Sequence, residues 1–301
     1  MAQPDIALDA FEAHKPRLVR LAYRMLGSMA EGEDIVQEAW IRWQHANRDE
    51  VREPGAFLTR IVTRLCLDTM KSARARRETY VGNWLPEPII MADDEDTLQL
   101  DELTLTLMLV LERLSPLERA TFLLHDVFDI SMDEVAATLK RDAGAVRQLA
   151  VRARKHVRAA RPRFPVNREE GERMAMAFFA ASTSGDLAAL RSMLADSVVL
   201  RSDGGGKVHA FLNPILGVDR VLRLFGGLFR KLVAKPAVLV QPVWIDGLPG
   251  YVSLERDGVP QTTALEIEDG RINGIFITRN PCKLGQIAHI LAAQGQSMQI
   301  H

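Results

Sequence analysis

The chain has 301 residues, of which 47% are hydrophobic and 26% charged, and a formal net charge of -1; this composition is typical of a globular protein with two or three domains. Cys66 and Cys282 are far apart and no His/Cys cluster has zinc spacing, so we expect no disulfide, metal or cofactor. The absence of a membrane-length apolar run and of a signal-peptide pattern predicts a cytoplasmic protein that does not bind membranes.

The first hundred residues carry helical patterns. In the predicted second helix, acidic, amide and aromatic side chains lie within three turns: Asp34, Gln37, Glu38, Trp40 and Trp43. Aromatic residues with a polar rim are typical of protein interfaces. The alternative, that the tryptophans belong to the core, is about equally supported for Trp40.

A third predicted helix begins after Pro54-Gly55 and leads into a basic segment. Positions 60–77 hold six basic residues and one acid, Asp68. Such a helix is suited to phosphate contacts, whose affinity depends on salt because counterions are released. Cys66 lies at helical spacing among apolar residues, which favours a core position over a redox role.

The segment that follows differs in character from its neighbours. Two prolines, Pro86 and Pro88, favour an extended backbone. Positions 93–96 read Asp-Asp-Glu-Asp, which we interpret as a solvated, mobile tether.

Residues 131–157 have the pattern of a helix-turn-helix. Ser131 and Glu134 form a capping box for the first helix, and Asp142 is positioned to cap the second. Positions 140–163 hold nine basic residues and one acid, and this imbalance favours nucleic acid over a merely solvated face. Arg147 and Gln148, near the start of the second helix, are the residue types that pair with guanine and adenine edges.

The C-terminal part changes pattern after residue 169. Three helices are predicted at 174–181, 186–194 and 218–232, followed by segments that alternate with period two. Asp-Gly pairs at 246, 257 and 269 separate these segments and indicate hairpins. Helices followed by an antiparallel meander predict an α+β domain.

Taken together, these segments resemble a bacterial extracytoplasmic-function sigma factor with a C-terminal SnoaL-like domain. The resemblance rests on YRMLGSMAEGEDIVQEAWIRW and FLTRIVTRLCLDTMKSARARR for region 2, on LSPLERATFLLHDVFDISMDEVAATL with VRQLAVRARKHVRAARPRF for region 4, and on the markers WLPEP, DGGGK and NPCKL. It implies a multidomain fold of two all-α sigma domains and an α+β cone domain. The expected limits are 1–80 for region 2, 81–99 for the linker, 100–163 for region 4 and 169–301 for the SnoaL-like domain.

The resemblance also implies partners and site residues. Core RNA polymerase is expected to bind the second-helix set given above, and region 4 and region 2 to contact the minus-thirty-five and minus-ten promoter elements. The expected DNA contacts are Arg147, Gln148, Arg152, Arg154, Lys155 and Arg158 in region 4 and Arg64, Lys71, Arg74, Arg76 and Arg77 in region 2. The expected regulatory interface consists of Trp84, Leu85, Pro86, Glu87, Pro88, Asp203, Gly204, Gly205, Gly206, Lys207, Asn280, Pro281, Lys283 and Leu284. The fused domain is expected to replace a separate anti-sigma protein.

Two positions depart from the family pattern. Cys282 stands where the third marker has an acid, and Lys140 stands where the helix-turn-helix turn has a glycine. If the turn requires a positive φ, Lys140 costs roughly 1 kcal/mol relative to glycine. We expect the fold to tolerate this cost.

Two other functions remain as alternatives. One is a helix-turn-helix regulator with a small-molecule-sensing domain, which would bind duplex DNA without polymerase. The other, least favoured, is a pocket enzyme using Glu266, Glu268 or His209. Because Leu265 and Ile267 alternate with the two glutamates, we expect the glutamates to face outward, and we predict that the protein is not an enzyme.

Overall fold

The computed structural model describes residues 6–47, 50–78, 80–91, 105–158, 166–232 and 237–285, with positions 287 and 290. Its helices are α1 Ile6–Leu26, α2 Met29–Gln44, α3 Pro54–Glu78, α4 Leu105–Leu111, α5 Pro116–Phe122, α6 Met132–Leu139, α7 Ala143–Arg158, α8 Arg168–Ser184, α9 Leu187–Met193 and α10 Val218–Leu232. Its strands are β1 Ile90–Met91, β2 Leu194–Asp203, β3 Ile215–Leu216, β4 Val238–Ile245, β5 Leu248–Leu254, β6 Pro260–Glu268 and β7 Arg271–Thr278. The predicted fold class, two helical domains and an α+β domain, is confirmed.

The chain forms two compact units. The helical unit comprises Met1–Glu78 and Met108–Ala160. The sheet unit comprises Thr79–Leu107 and Arg161–His301. The segment that the sequence predicts to be a separate linker therefore belongs, as far as Met91, to the same unit as the sheet.

In the helical unit, α1, α2 and α3 pack around a shared apolar core. Leu21, Ala22 and Met25 of α1 are buried there, and the indole of Trp43 lies 5.8 Å from the Phe57 ring, centroid to centroid. Cys66 is also fully buried, and burial raises the pKa of its thiol. This agrees with the predicted core position. Helix α3 continues through the basic segment to Glu78, beyond the apolar pattern that the sequence shows.

The predicted helix-turn-helix is confirmed as α6 and α7. Ser131 Oγ accepts from the Glu134 amide and the Glu134 carboxylate accepts from the Ser131 amide, which completes the capping box. Asp142 Oδ1 accepts from the Ala145 amide at 2.8 Å and caps α7. The apolar face of α7 packs inward through Val146, Ala150, Ala153 and Val157, as the spacing predicts, together with Leu149.

The turn between these helices holds Lys140 in the left-handed region, with φ 52° and ψ 49°. Its amide donates to the Ala136 and Ala137 carbonyls and closes α6. The sequence predicts a free-energy cost relative to glycine if φ is positive at Lys140, and the structure has this positive φ. The cost arises because a residue with a Cβ atom is disfavoured in the left-handed conformation.

We predict that Lys140→Gly raises the free energy of unfolding of the helical unit by roughly 1 kcal/mol, because glycine adopts positive φ without strain. Urea unfolding followed by circular dichroism measures the change. Arg147→Gly, at an exposed interior position of α7, is the matched control and should lower stability by about 1 kcal/mol. Equal effects of the two substitutions would contradict strain at position 140.

Among the residues that the structure describes, Arg119 is the largest fully buried side chain, and it belongs to the helical unit. Its Nη1 atom donates to the Met25 carbonyl of α1 and to Glu112 Oε1, both at 2.7 Å. Its Nε atom donates to the Leu111 carbonyl of α4 at 2.8 Å. Burial lowers the pKa of the guanidinium, and the three acceptors offset its loss of hydration. One cation thereby connects α1, α4 and α5.

We predict that Arg119→Met lowers the free energy of unfolding by about 3 kcal/mol or more, because it leaves the Glu112 carboxylate and two carbonyls without their buried donor. Chemical unfolding measures it. Arg113→Met, at an exposed position of the same segment, should change stability by less than about 0.5 kcal/mol. A similar small loss for both variants would show that the Arg119 contacts contribute little.

The sheet unit contains one seven-stranded sheet in the order β1-β4-β5-β6-β7-β2-β3. Strands β4 to β7 form the predicted antiparallel meander. Asp246-Gly247 and Asp269-Gly270 have positive φ at both positions and form the tight turns that their residue types predict. Helices α8, α9 and α10 cover one face, where Phe178 meets Phe225 edge to face at 5.5 Å.

Three strands of this sheet, β1, β2 and the two-residue β3, are absent from the sequence prediction. Strand β2 follows α9 directly and pairs in parallel with β7, with Asp203 opposite Thr278. Strand β1 comes from the linker and pairs with β4 at the sheet edge, with Ile90 opposite Ile245. Both pairings join distant parts of the chain, so no local turn signal marks them.

Candidate nucleic-acid interface and linker site

The recognition helix α7 presents an exposed face along its length. Arg147, Gln148, Lys155 and Arg158 are all exposed on it. Arg and Gln near the start of the helix are in the position from which a helix in the major groove reaches base edges. Lys155 and Arg158, two to three turns further on, are suited to phosphates.

Two further arginines of the predicted DNA-contacting set are engaged within the helical unit. Arg152 Nε pairs with Glu118 Oε1 at 2.8 Å and Arg154 Nε with Asp126 Oδ1 at 2.6 Å. Desolvation raises the pKa of Glu118, but the hydrogen bonds from Ser115 and the contact with Arg152 together outweigh it, so the pKa of this carboxyl group is lowered. To contact a phosphate, each guanidinium group must either bind it together with its present carboxylate or give that carboxylate up.

Sequence reasoning missed Val151 on the same face. Its side chain is 64% exposed, between Gln148 one turn before and Lys155 one turn after. An exposed β-branched residue on a recognition helix can contact a thymine methyl group. The signal was present in the sequence, since Val151 falls outside the buried stripe of α7.

In the basic helix α3, the structure describes the side chains of two predicted DNA contacts. Arg64 Nε donates to the Thr138 carbonyl of α6 at 3.4 Å, and exposed Lys71 pairs with Asp68 at 2.8 Å. Arg74, Arg76 and Arg77 lie on the last turns of α3, and their side chains fall outside the described residues. The acidic run at 93–96 also lies outside them.

The predicted polymerase-binding set on α2 divides into surface and core. Asp34 and Gln37 are exposed and Glu38 is half-exposed, and Ile41, which the sequence analysis did not include, is 44% exposed beside them. Trp40 is half-buried, with its ring 4.8 Å from that of Phe11.

Trp43 corrects the sequence interpretation. Its side chain is 3% exposed and its indole N–H donates to the Ala7 carbonyl at 2.9 Å. A ring enclosed in this way has no surface to offer a partner. Trp43 is a core residue that positions α1 against α2, and we remove it from the predicted polymerase surface.

The three sequence markers converge on one buried carboxylate. Asp203, the last residue of β2, is 0% exposed. Its Oδ1 atom accepts from Tyr80 Oη at 2.6 Å and from the Gly205 amide at 3.0 Å. Its Oδ2 atom accepts from the Leu85 amide at 2.9 Å and from Lys283 Nζ at 2.7 Å. The WLPEP, DGGGK and NPCKL segments are thus joined through a single side chain.

Lys283 supplies the charge that balances Asp203. Its Nζ atom also donates to the Leu85 carbonyl and lies 4.4 Å from the ring centroid of Trp84 and 5.1 Å from that of Tyr80. Two aromatic faces and two oxygen acceptors together replace the water that the ammonium group loses. The linker is packed against the domain here, because its residues Leu85, Pro86, Glu87 and Pro88 are all buried.

Glycine is required at one position of the DGGGK loop by both conformation and space. Gly205 has φ +62°, and a Cβ atom there would lie 2.4 Å from the Asn280 amide nitrogen. Asn280 in turn donates to Tyr80 Oη at 2.8 Å. The glycine therefore allows Asn280 to reach the tyrosine.

Cys282 occupies the position of the missing acid in the third marker. It is exposed, and Lys207 Nζ donates to its Sγ atom at 2.9 Å. The thiol therefore keeps a contact between the second and third markers.

The sheet unit also encloses a cavity of about 520 Å³. Aromatic side chains of Phe178, Phe179 and Tyr251 line it, and Glu255, Arg256 and Arg279 stand among its polar residues. Of the three residues considered for catalysis, only His209 belongs to this lining. Leu265 and Ile267 are buried in the core, as the alternation predicts, and burial raises the pKa of Glu266 outside the cavity. Sequence reasoning gave no sign of Glu255 or Arg256.

We predict that Asp203→Asn destabilises the sheet unit by about 3 kcal/mol, because it leaves the Lys283 ammonium group buried without its counter-charge. Chemical unfolding and amide hydrogen exchange of Leu85 measure the loss, and exchange should become faster. Asp196→Asn, at an exposed position of the same strand, is the control. Unchanged protection of Leu85 in the Asp203 variant would contradict this role.

Comparison with known proteins assigns the class of the helical regions. The model of sigma-70 region 2 matches residues 10–76, and that of sigma-70 region 4 matches residues 104–157. The helix-turn-helix therefore belongs to a sigma-type transcription factor.

Similarity over the full length identifies the family. The chain is 38% identical over 295 residues to the ECF RNA polymerase sigma factor SigJ of Mycobacterium tuberculosis, covering 92% of each chain. It is 32% identical to the probable ECF sigma factor SigI of the same species, over 94% of this chain and 97% of the relative. The crystal structure of M. tuberculosis SigJ aligns with a TM-score of 0.75 at 33% identity, covering 92% of this chain and 98% of that one. The chain belongs to the extracytoplasmic-function sigma factor family.

Family membership supports a role in transcription initiation, with core RNA polymerase and promoter DNA as partners, and indicates a transcription factor rather than an enzyme. Within the described ranges, the structure contains no helix of the length and apolarity needed to cross a membrane.

Proposed function

We propose that this chain directs core RNA polymerase to promoters by two DNA contacts, one through α7 and one through α3, and that its C-terminal domain controls this activity through the linker. The observation that carries the first part is the exposed face of α7, with Arg147 and Gln148 at its start. The second part rests on the buried Asp203, a residue of the C-terminal domain that accepts hydrogen bonds from the linker.

The polymerase-binding surface that we propose is the exposed side of α2. Asp34, Gln37 and Glu38 provide acceptors, and Ile41 provides an apolar centre. An apolar centre with a polar rim is the usual anatomy of a protein interface. The match to region 2 favours this function over a helix-turn-helix regulator that acts without polymerase.

The regulatory proposal follows from the contacts that the linker makes with the C-terminal domain. The linker supplies Tyr80 and the Leu85 amide to Asp203, and its strand β1 to the sheet. Any change that weakens these contacts frees the chain segment that joins regions 2 and 4. We propose that the fused domain acts in this way in place of a separate anti-sigma protein.

Run-off transcription with core polymerase tests the function. The full chain should initiate at a subset of promoters from its own genome, and Asp203→Asn should alter the yield by several-fold while Asp196→Asn does not. Absence of initiation by every form at every promoter would overturn the sigma-factor proposal. Equal yields from the two aspartate variants would overturn the regulatory one.

For the recognition helix, we predict that Arg147→Ala relaxes specificity at one base of the minus-thirty-five element and costs about 1–3 kcal/mol of binding free energy there. Lys155→Ala should instead weaken binding to all sequences similarly and reduce the salt dependence. Binding to a panel of single-base promoter variants at two salt concentrations distinguishes these results. Uniform weakening by Arg147→Ala would identify Arg147 as a phosphate contact.

A further inference from the structure

The cavity of the sheet unit has an apolar part and a polar end, neither of which the promoter-recognition surfaces use. Phe178, Phe179 and Phe225 line the apolar part, and helices α8 and α10 provide them. The volume of about 520 Å³ lies within the range of small-molecule sites. An apolar cavity of this size is suited to a ligand with a hydrocarbon or aromatic body.

The polar end brings together two guanidinium groups, of Arg256 and Arg279, and two carboxyl groups, of Glu255 and Asp257. Arg279 Nη2 donates to both oxygens of Asp257, at 2.8 and 2.6 Å, so that this carboxylate is already neutralised. Arg256 forms no ion pair with a carboxylate among the described residues; its Nη2 atom donates to the Thr183 carbonyl at 3.1 Å. Buried N–H groups of both arginines, Nη1 of Arg256 and Nε of Arg279, find no acceptor in the described part of the chain. A half-buried guanidinium that forms no ion pair favours an anionic ligand.

The neighbouring carboxyl group is compatible with such a ligand. Glu255 also lines the cavity, and burial raises the pKa of its carboxyl group. A raised pKa favours the protonated form, which does not repel an anion and can donate a hydrogen bond to it. A cationic ligand would instead meet the two guanidinium groups.

We propose that this cavity binds a small apolar carboxylic acid, with the hydrocarbon body among the phenylalanines and the carboxylate at Arg256. The apolar surface would supply most of the affinity and the guanidinium the selectivity for acids over alcohols and amines. This proposal concerns the regulatory part of the proposed function and rests on it only for its biological consequence.

The cavity and the linker site share adjacent residues. Ser202 and Arg279 line the cavity, and the next residues, Asp203 and Asn280, hold the linker. Phe211 lines the cavity, and its carbonyl accepts from Asn83 of the linker at 3.0 Å. A ligand that shifts the ends of β2 and β7 therefore acts directly on the residues that grip the linker.

Calorimetric titration of the full-length protein with decanoate, decanol and decylamine tests the site, because these probes share one chain length and differ in the head group. Decanoate should bind at least ten-fold more tightly than either of the others. Arg256→Gln should remove this preference while decanol affinity stays the same. Arg230→Gln, at an exposed position on α10, is the matched control and should bind decanoate as the unmodified chain does.

Equal affinity for the three probes, or no binding of decanoate, would overturn the proposal. If Arg256→Gln fails to fold, Arg256→Lys keeps the charge and should retain a preference for decanoate; loss of that preference in a folded protein would count against an electrostatic role. Hydrogen exchange of the Leu85 amide with and without decanoate tests the link to the linker, and an unchanged rate would overturn it. Because these measurements need no polymerase, their failure is distinct from failure to initiate transcription.

Discussion

The buried carboxylate of Asp203 is the constraint on which the organisation of the sheet unit depends. A carboxylate without water requires several donors, and here they come from three segments of the chain: Tyr80 and Leu85 in the linker, Gly205 two residues after Asp203, and Lys283 near the C-terminus. Removal of any one leaves a partly unsatisfied charge, so the contacts form or break together. This cooperativity explains why the linker is held as part of the domain.

A second buried charge organises the helical unit in the same way. Arg119 joins α1 of region 2 to the helices that precede the recognition helix, and Arg64 adds a weaker contact from α3 to α6. Both side chains donate to backbone carbonyls, which makes the contact independent of the partner's side-chain type. The exposed faces of α2 and α7 remain outside these contacts. The unit therefore separates residues that hold the helices together from residues available to partners.

Local patterns predicted most of the fold. Capping at Ser131 and Asp142, the positive φ at Lys140 and the Asp-Gly hairpins follow from residue types within a few positions, and each is confirmed. Strand β2 and the linker strand β1 were missed because their partners are far along the chain. Arg119 and Arg256 were missed because a buried arginine looks like a surface one in sequence. The three markers were recognisable in the sequence, but only the sheet topology shows that they meet at Asp203.

One residue of the sheet, Asp246, limits how far the linker can reach. Its Oδ2 atom accepts from the Ile89 amide and its carbonyl from the Leu105 amide, so positions 89 and 105 are held at the same residue. While both contacts hold, the residues between these two positions add nothing to the distance that the linker can bridge, so the linker bridges less than its residue count suggests.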